Sequence, residues 1–296
     1  MPSLKEIKGR IASVSSTLKI TSAMKMVASA KLHKAQAAIG NMLPYEQRLS
    51  RILAALLAVS EQPAGAVQHI PKFPAKKREQ TDRTESVAVV AWSSNSSLCG
   101  GFNAAVIRKT SAVVKKWEQD GAKVTVFSVG RKMADAMRKA GYPSPADYTK
   151  LADAPSYEGA AALADTLIAA FDEGRFDRVE LVYNHFHSTA SQPTRHEVYL
   201  PFSVENIPEA APEDFIVEPS REELIAQLVP TFQRLRIYTT LLDANAAEHA
   251  ARTVAMQTAT DNGNNLLQEL TLEYNKSRQQ KITSEILDRV GGTLQQ

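Results

Sequence analysis

The longest uninterrupted helical pattern in the sequence lies near its C-terminus, between Arg221 and Val290. No proline follows Pro230, and Gly263 is the only glycine before the Gly291–Gly292 pair. A helix over this range would be about 105 Å long at ~1.5 Å per residue. A chain of this size cannot wrap such a helix, so the helix must project and another element must cover its apolar stripe. That stripe recurs every three or four residues: Leu224, Leu228, Phe232, Leu235, Tyr238, Leu242 and Ala246.

The matching stripe lies at the other end of the chain. Ser3 and Glu6 are spaced as a helix-capping pair, and a heptad pattern follows them. Pro44 should kink or interrupt this first helix, and Thr21, Lys25 and Glu46 are polar exceptions in its seam. The seam reads Leu4, Ile7, Ile11, Val14, Leu18, Thr21, Lys25, Ala28, Leu32, Ala35, Ile39, Met42, Glu46, Leu49, Leu53 and Leu56.

Two long terminal helices predict an antiparallel coiled coil made by a single chain. Its seam includes Ile7, Ile11, Val14 and Leu18 on the first helix and Leu235 and Leu242 on the second. The alternative is that both are core helices of an all-α domain. Their length disfavours it, because helices of globular proteins average about three turns.

The middle of the chain alternates strands and helices. Strands are predicted at 86–92, 123–129, 177–187 and 194–202, and helices after Phe102, at 131–140 and at 157–172, with a loop at 142–155. The predicted fold class is therefore α/β: a long antiparallel coiled coil of N- and C-terminal helices plus an inserted, Rossmann-like α/β domain. The predicted parts are a coiled-coil helix at 1–60, an exposed connector at 61–85, the α/β domain at 86–205, a linker at 206–219 and the second coiled-coil helix at 220–296.

Composition narrows the setting of the protein. Hydrophobic residues make up 44% and charged residues 23%, as in folded soluble proteins. No apolar run approaches the ~20 residues that cross a bilayer, and the N-terminus resembles neither a signal nor a transit peptide. Cys99 is the single cysteine, which rules out an internal disulfide and fits a reducing compartment.

The N-terminal helix carries charge of one sign. Between Met1 and Tyr45 the only acidic residue is Glu6. Such a face suits nucleic acid, anionic lipid or acidic protein loops, although a solvated helix face is the simpler interpretation. The basic residues are Lys5, Lys8, Arg10, Lys19, Lys25, Lys31 and Lys34.

Candidate catalytic motifs are weak. The Gly100–Gly101 pair follows a strand, but the dinucleotide spacing G-x-G-x-x-G and the phosphate loop G-x-x-x-x-G-K-[ST] are both absent. A tight turn is the better interpretation. Cys99 has no neighbouring base and suits a buried site. The histidines His185, His187 and His196 lack ligands at metal-site spacing. We therefore predict no catalytic, cofactor or metal site.

The segment from Ala251 to Gly263 uses small or polar residues where a seam would carry leucine, and Asn262 to Asn265 is poor helix-forming sequence. A local fray or kink is one interpretation. The other is a slim segment that fits within a surrounding partner without binding it permanently.

These motifs together resemble the gamma subunits of F-type ATP synthases, and the resemblance spans essentially the whole chain. It rests on the N-terminal segments 5–7, 11–14 and 19–28, on Leu98-Cys99-Gly100-Gly101-Phe102-Asn103, and on the C-terminal segments 251–263 and 269–279. Many members carry Asp-Arg-Gly before the Leu-Cys-Gly-Gly motif, where this chain has Asn95-Ser96-Ser97. The connector also looks longer than is typical, and it lacks the cysteine pair of the chloroplast form.

The resemblance implies a noncatalytic rotor without a cofactor, which transmits torque between a proton-driven membrane ring and a catalytic hexamer. The implied partners are the alpha and beta subunits, the epsilon subunit and the membrane c-ring, with peripheral association at the cytoplasmic face of a bacterial inner membrane. Residues matching the family's contacts with beta subunits are Met24, Lys25, Arg252, Arg278, Gln279 and Thr283. Two alternatives stay open on the residues: a nucleotide-binding enzyme with coiled-coil arms and a basic coiled-coil module for nucleic acid. The heptads at both termini, and the lack of a base-reading motif, disfavour them.

Overall fold

The computed structural model describes residues 3–58, 84–202, 217–218 and 220–293. Two long helices, α1 and α6, flank a four-stranded sheet and four shorter helices. The elements in chain order are α1 (Leu4–Ala58), β1 (Ser86–Trp92), α2 (Phe102–Gln119), β2 (Lys123–Val129), α3 (Arg131–Lys139), α4 (Thr149–Asp153), α5 (Tyr157–Asp172), β3 (Arg178–Asn184), β4 (Thr194–Leu200) and α6 (Arg221–Thr293).

Helix α1 begins at the predicted cap, where the Glu6 amide donates to Ser3 Oγ at 3.2 Å. The interruption expected at Pro44 is absent, because α1 continues through it to Ala58. Proline removes only one backbone donor. The seam is buried on both sides of Pro44, at Ala35 before it and at Glu46 and Leu49 after it. Helix α6 is likewise continuous through Asn262–Asn265, so the fray considered there does not occur.

Helices α1 and α6 pack as the predicted antiparallel coiled coil. Lys25 lies beside Gln257, whereas Glu46, further along α1, pairs with Arg236, which comes earlier in α6. Every seam position predicted on α1 is buried or half-buried. One buried apolar cluster of the coil joins Leu49, Leu53 and Leu56 to Ile225, Val229 and Leu235.

The sheet has the strand order β2-β1-β3-β4. Strand β1 pairs in parallel with β2 and β3, and β4 pairs antiparallel with β3. Residues 87–92 of β1 are buried throughout, as expected for a central parallel strand covered on both faces. The predicted bounds of β1, β2 and α5 match the structure. The loop predicted at 142–155 contains a short helix, α4.

The two faces of the sheet are covered by different elements. One face packs on α2 and α3 through residues such as Val106 and Met133. The other packs on α5 and on α6 itself, through Leu163, Ile237 and Leu241. Helix α6 therefore belongs to the coiled coil and to the core of the α/β domain, so the shaft and the body share one packed interface. The connector predicted at 61–85 and the linker at 206–219 lie almost entirely outside the described residues, and the division into five parts stays a prediction.

Candidate partner-binding surface of the shaft

Around Thr21 and Lys25 the coiled coil is joined by polar contacts as well as apolar ones. Lys25 Nζ donates to Gln257 Oε1 at 2.5 Å, and Thr260 Oγ1 donates to Thr21 Oγ1 at 3.0 Å. One turn further, a Cβ added at Gly263 would lie 2.6 Å from a Leu18 methyl group. We call these three contacts, Lys25–Gln257, Thr21–Thr260 and the adjoining Leu18–Gly263, the polar layer.

The predicted contact residues Met24 and Lys25 are half-buried at the polar layer. The ammonium group of Lys25 is thus held by a neutral amide within the chain. The outward face of α1 beside it carries apolar side chains in solvent: Ile20, Met26 and Val27 are each more than half exposed. Isolated exposed apolar residues are ordinary, but three within two turns of a helix indicate a surface that meets another macromolecule.

Arg252, predicted to contact a partner, is only 8% exposed and is bound within the chain. Its guanidinium donates to the carbonyl oxygen of Ser97 at 2.5 Å and to Glu248 Oε1 at 2.7 Å. It therefore ties α6 to the loop after β1. Contact of Arg252 with a beta subunit stays a prediction.

A cavity of about 270 Å³ lies beside Arg252, between α1, α4 and α6. His249 lines this cavity, and its buried Nδ1 has no hydrogen-bond partner among the described residues. Burial lowers the pKa of His249 to about 4, and the charges of Lys31 and Arg252 act in the same direction. Burial raises the pKa of Glu248, although Arg252 opposes this. At neutral pH the His249 imidazole is therefore uncharged and lies beside the Glu248–Arg252 ion pair.

The remaining predicted contacts lie at the C-terminal tip of the shaft. Arg278, Gln279 and Thr283 are all exposed, and the Thr283 hydroxyl donates to the carbonyl oxygen of Gln279 at 3.0 Å within the helix. Their side chains are open to a partner. Exposed apolar residues accompany them, as Ile286 and Leu287 show.

The glycine-containing turn after β1 is structural. Gly100 has a φ of 58°, which glycine adopts without strain, and Gly101 precedes α2 as its N-cap. Leu98 also has a positive φ of 68° and is exposed. Cys99 is buried as predicted, and its Sγ accepts from Asn103 Nδ2 at 3.1 Å. The turn packs against α6 through the Ser97 carbonyl described above.

Two of the three candidate histidines are bound to carboxylates instead of being grouped. His185 Nδ1 lies 2.6 Å from Asp243 Oδ2, and His196 Nε2 lies 2.7 Å from Glu180 Oε2. Within the part of the chain that the structure describes, no group of three or more His, Cys, Asp or Glu side chains is placed to hold a metal ion. In the same residues, no helix is long and apolar enough to cross a membrane.

Sequence reasoning missed the partners of the polar seam residues. Lys25 donates to Gln257, Thr260 donates to Thr21, and Arg236 donates to Glu46. A signal for the first two pairs was present, because Gln257 and Thr260 continue the three-and-four spacing of the second stripe, whereas Arg236 lies beside that stripe. The cluster around His249 had no such signal, since α4 and the loop after β1 reach it only in the folded chain.

The fold and these surfaces define a class of protein: a two-helix shaft with an α/β body at one end, which acts through contact surfaces. The family model described as ATP synthase matches residues 3–294. The ATP synthase gamma chain of Phocaeicola vulgatus is 50% identical over 299 residues, covering 99% of this chain and 100% of that relative. The gamma chain of Parabacteroides distasonis is 45% identical over 293 residues, covering 99% and 98%.

Solved structures show the same fold. A chain of the Euglena gracilis mitochondrial ATP synthase, in the OSCP/F1/c-ring structure of rotational state 3, aligns with a TM-score of 0.62 at 20% identity, covering 98% of this chain and 93% of that one. A chain of the Tetrahymena thermophila central stalk and c-ring aligns at 0.55 and 22% identity, covering 81% and 99%. The chain belongs to the ATP synthase gamma chain family, which confirms the resemblance seen in the sequence.

Proposed function

We propose that this chain is the noncatalytic central-stalk rotor subunit of an F-type ATP synthase, transmitting torque between the proton-driven membrane ring and the catalytic alpha/beta hexamer. It changes the catalytic sites by its orientation and makes or breaks no bond itself. In such a mechanism, each beta site shifts among conformations according to the face of the shaft that it meets.

The observation that carries the proposal is that no other described part of the chain covers the tip of α6. This helix has 73 residues, about 110 Å at the standard rise, whereas α1 has 55. Because the two helices are antiparallel, the last turns of α6 extend past the start of α1. Residues 281–287 are all exposed there, with Ile282, Ile286 and Leu287 in solvent. A single helix with apolar side chains needs a surrounding partner, and a ring of alpha and beta subunits supplies one.

The partners follow from the two ends of the molecule. We place Arg278, Gln279 and Thr283 at the tip, and Met24 with Lys25 lower down, against loops of the beta subunits, with Arg252 bracing this region. The α/β body lies at the other end, where it suits a foot on the epsilon subunit and the membrane c-ring. This assigns the chain a peripheral position, at the cytoplasmic face of a bacterial inner membrane.

Reconstitution tests the proposal. The chain is co-expressed with alpha, beta and epsilon subunits of a close relative, and the complex is bound to membrane vesicles with their c-rings. We expect co-purification, and ATP-driven proton pumping that requires this chain. A complex that assembles and pumps equally well without it would contradict the proposal.

Lys25→Glu refines the test. We expect the variant to assemble, but to pump fewer protons for each ATP hydrolysed, because a negative charge then replaces the ammonium that the proposal places near acidic loops of the beta subunits. Lys19→Glu is the matched control, since Lys19 is an exposed lysine of the same helix outside the polar layer. Equal pumping by both variants and the wild type would remove Lys25 from the contact.

A further inference from the structure

The polar layer has a role beyond holding the two helices together. We propose that Lys25–Gln257, Thr21–Thr260 and Leu18–Gly263 fix the axial register of α1 against α6, so that the contact surfaces on the two helices stand at a set height relative to each other. The inference rests on the proposed function, because register matters only where both helices meet the same surrounding partner.

The contacts of the coil share a single register. Moving from Lys25 to Glu46 along α1 is matched by moving from Gln257 to Arg236 along α6, which is three heptads on each helix. Thr21 and Thr260 extend the same match towards the tip. The polar layer and the Glu46–Arg236 pair thus bracket a stretch of coil from both sides.

The bracketed stretch combines Leu32 with small side chains, Ala28 and Ala35 on α1 and Ala246 and Ala250 on α6. At the alanine positions the knobs and holes are shallow, so these positions resist sliding of one helix past the other less than leucines would. Polar residues in a coiled-coil seam instead specify register, because a slip leaves them buried without a partner.

The cost of a slip follows from the sequence. A slip of one heptad moves the helices about 10 Å along their axes. In one direction it places Lys25 against Ala250 and Glu46 against Val229, both fully buried apolar positions. In the other direction Glu46 meets Asp243, a like charge. Gly263 adds a steric condition, since a side chain there would displace the Leu18 methyl group.

The test compares three changes in the full-length chain. The removal variant combines Lys25→Met, Gln257→Leu, Thr21→Val and Thr260→Val, which keep the side-chain volumes and remove the interhelical hydrogen bonds. The rescue variant, Lys25→Gln with Gln257→Lys, exchanges donor and acceptor across the coil. The control is Thr258→Val, because the Thr258 hydroxyl bonds only Val254 of its own helix.

Pulsed electron paramagnetic resonance reports the register. Spin labels are attached to cysteines at exposed positions 19 and 276, one on each helix and about 20 Å apart along the axis, with the buried Cys99 replaced by alanine. We expect one narrow distance for the wild type, Thr258→Val and the rescue variant. The removal variant should show a second population displaced by about 10 Å along the axis, with unchanged helix content by circular dichroism.

A removal variant with the single wild-type distance would overturn the proposal, as would a rescue variant with two populations. If the removal variant loses helix content, the Thr21→Val, Thr260→Val double variant takes its place with the same expected second population. Proton pumping by the reconstituted complex separates this inference from the proposed function. Wild-type pumping with an unaltered distance in the Thr21→Val, Thr260→Val double variant, which leaves Lys25 in place, defeats the register role alone, whereas absent pumping with the wild-type chain defeats the function itself.

Discussion

Glu180 offers a quantitative test of the α/β body. The residue is only 2% exposed. Its carboxylate accepts hydrogen bonds from Trp117 Nε1 at 2.9 Å, Arg178 Nε at 2.8 Å and His196 Nε2 at 2.7 Å. These partners come from α2, β3 and β4, so one side chain connects a helix to two strands. We expect Glu180→Gln to destabilise the body, because a neutral amide cannot satisfy the three groups.

The magnitude follows from the pKa of Glu180. Burial raises this pKa, but the hydrogen bonds from His196, Trp117 and Arg178 outweigh burial and lower it from 4.5 to about 2. Each pKa unit corresponds to about 1.4 kcal/mol, so the ionised carboxylate contributes about 3 kcal/mol to the free energy of unfolding. That contribution is complete above pH 4.5 and is lost as the pH falls towards 2.

Urea unfolding followed by circular dichroism measures this contribution. At pH 7 Glu180→Gln should lower the free energy of unfolding by about 3 kcal/mol, and the difference from wild type should shrink between pH 4.5 and 2. The control is Glu173→Gln, since the Glu173–Arg175 pair lies on the surface and should contribute less than about 1 kcal/mol. Equal effects of both substitutions at pH 7, or a difference that persists undiminished in acid, would refute the reasoning.

Three further predictions concern the coil. Leu53→Ala should cost about 2–5 kcal/mol in urea unfolding, because Leu53 is 0% exposed, whereas Leu43→Ala, at a site 45% exposed, should cost under about 0.5 kcal/mol; similar costs would contradict the packing. Leu242→Asp should lower the melting temperature more than Leu18→Asp, since Leu242 is buried and Leu18 half-buried, and a larger effect at Leu18 would contradict the burial. His249 should titrate near pH 4 by NMR, with stability falling as the pH drops from 6.5 to about 4, because only the unfolded chain is protonated there; a midpoint near 6.5 would place the imidazole in water.

The long-range architecture could be predicted from the sequence because it depends on periodic patterns. The seam from Ile7 to Leu56 marks one face of α1, and a short apolar run bounded by turn residues defines β1. Both signals are local, and both are confirmed. The family could likewise be recognised from contiguous sequence motifs, without knowledge of the fold.

The contacts that join distant segments could not be predicted in this way. Trp117 and His196 meet Glu180 only once the strand order is fixed, and nothing in their spacing encodes that order. The sequence marked Arg252 only as a partner contact, and its bond to the loop after β1 could not be read from spacing. Pattern reasoning also treated the coil and the α/β domain as separate, although Ile237 and Leu241 of α6 cover the sheet.

Single-molecule rotation tests the central claim most directly. A bead is attached through a cysteine introduced at Ser191, an exposed position in the loop between β3 and β4, in a complex with surface-immobilised alpha and beta subunits. We predict that ATP drives continuous rotation of the bead in one direction, with the α/β body turning as one piece with the coil. ATP hydrolysis at the normal rate with the bead stationary would contradict the account.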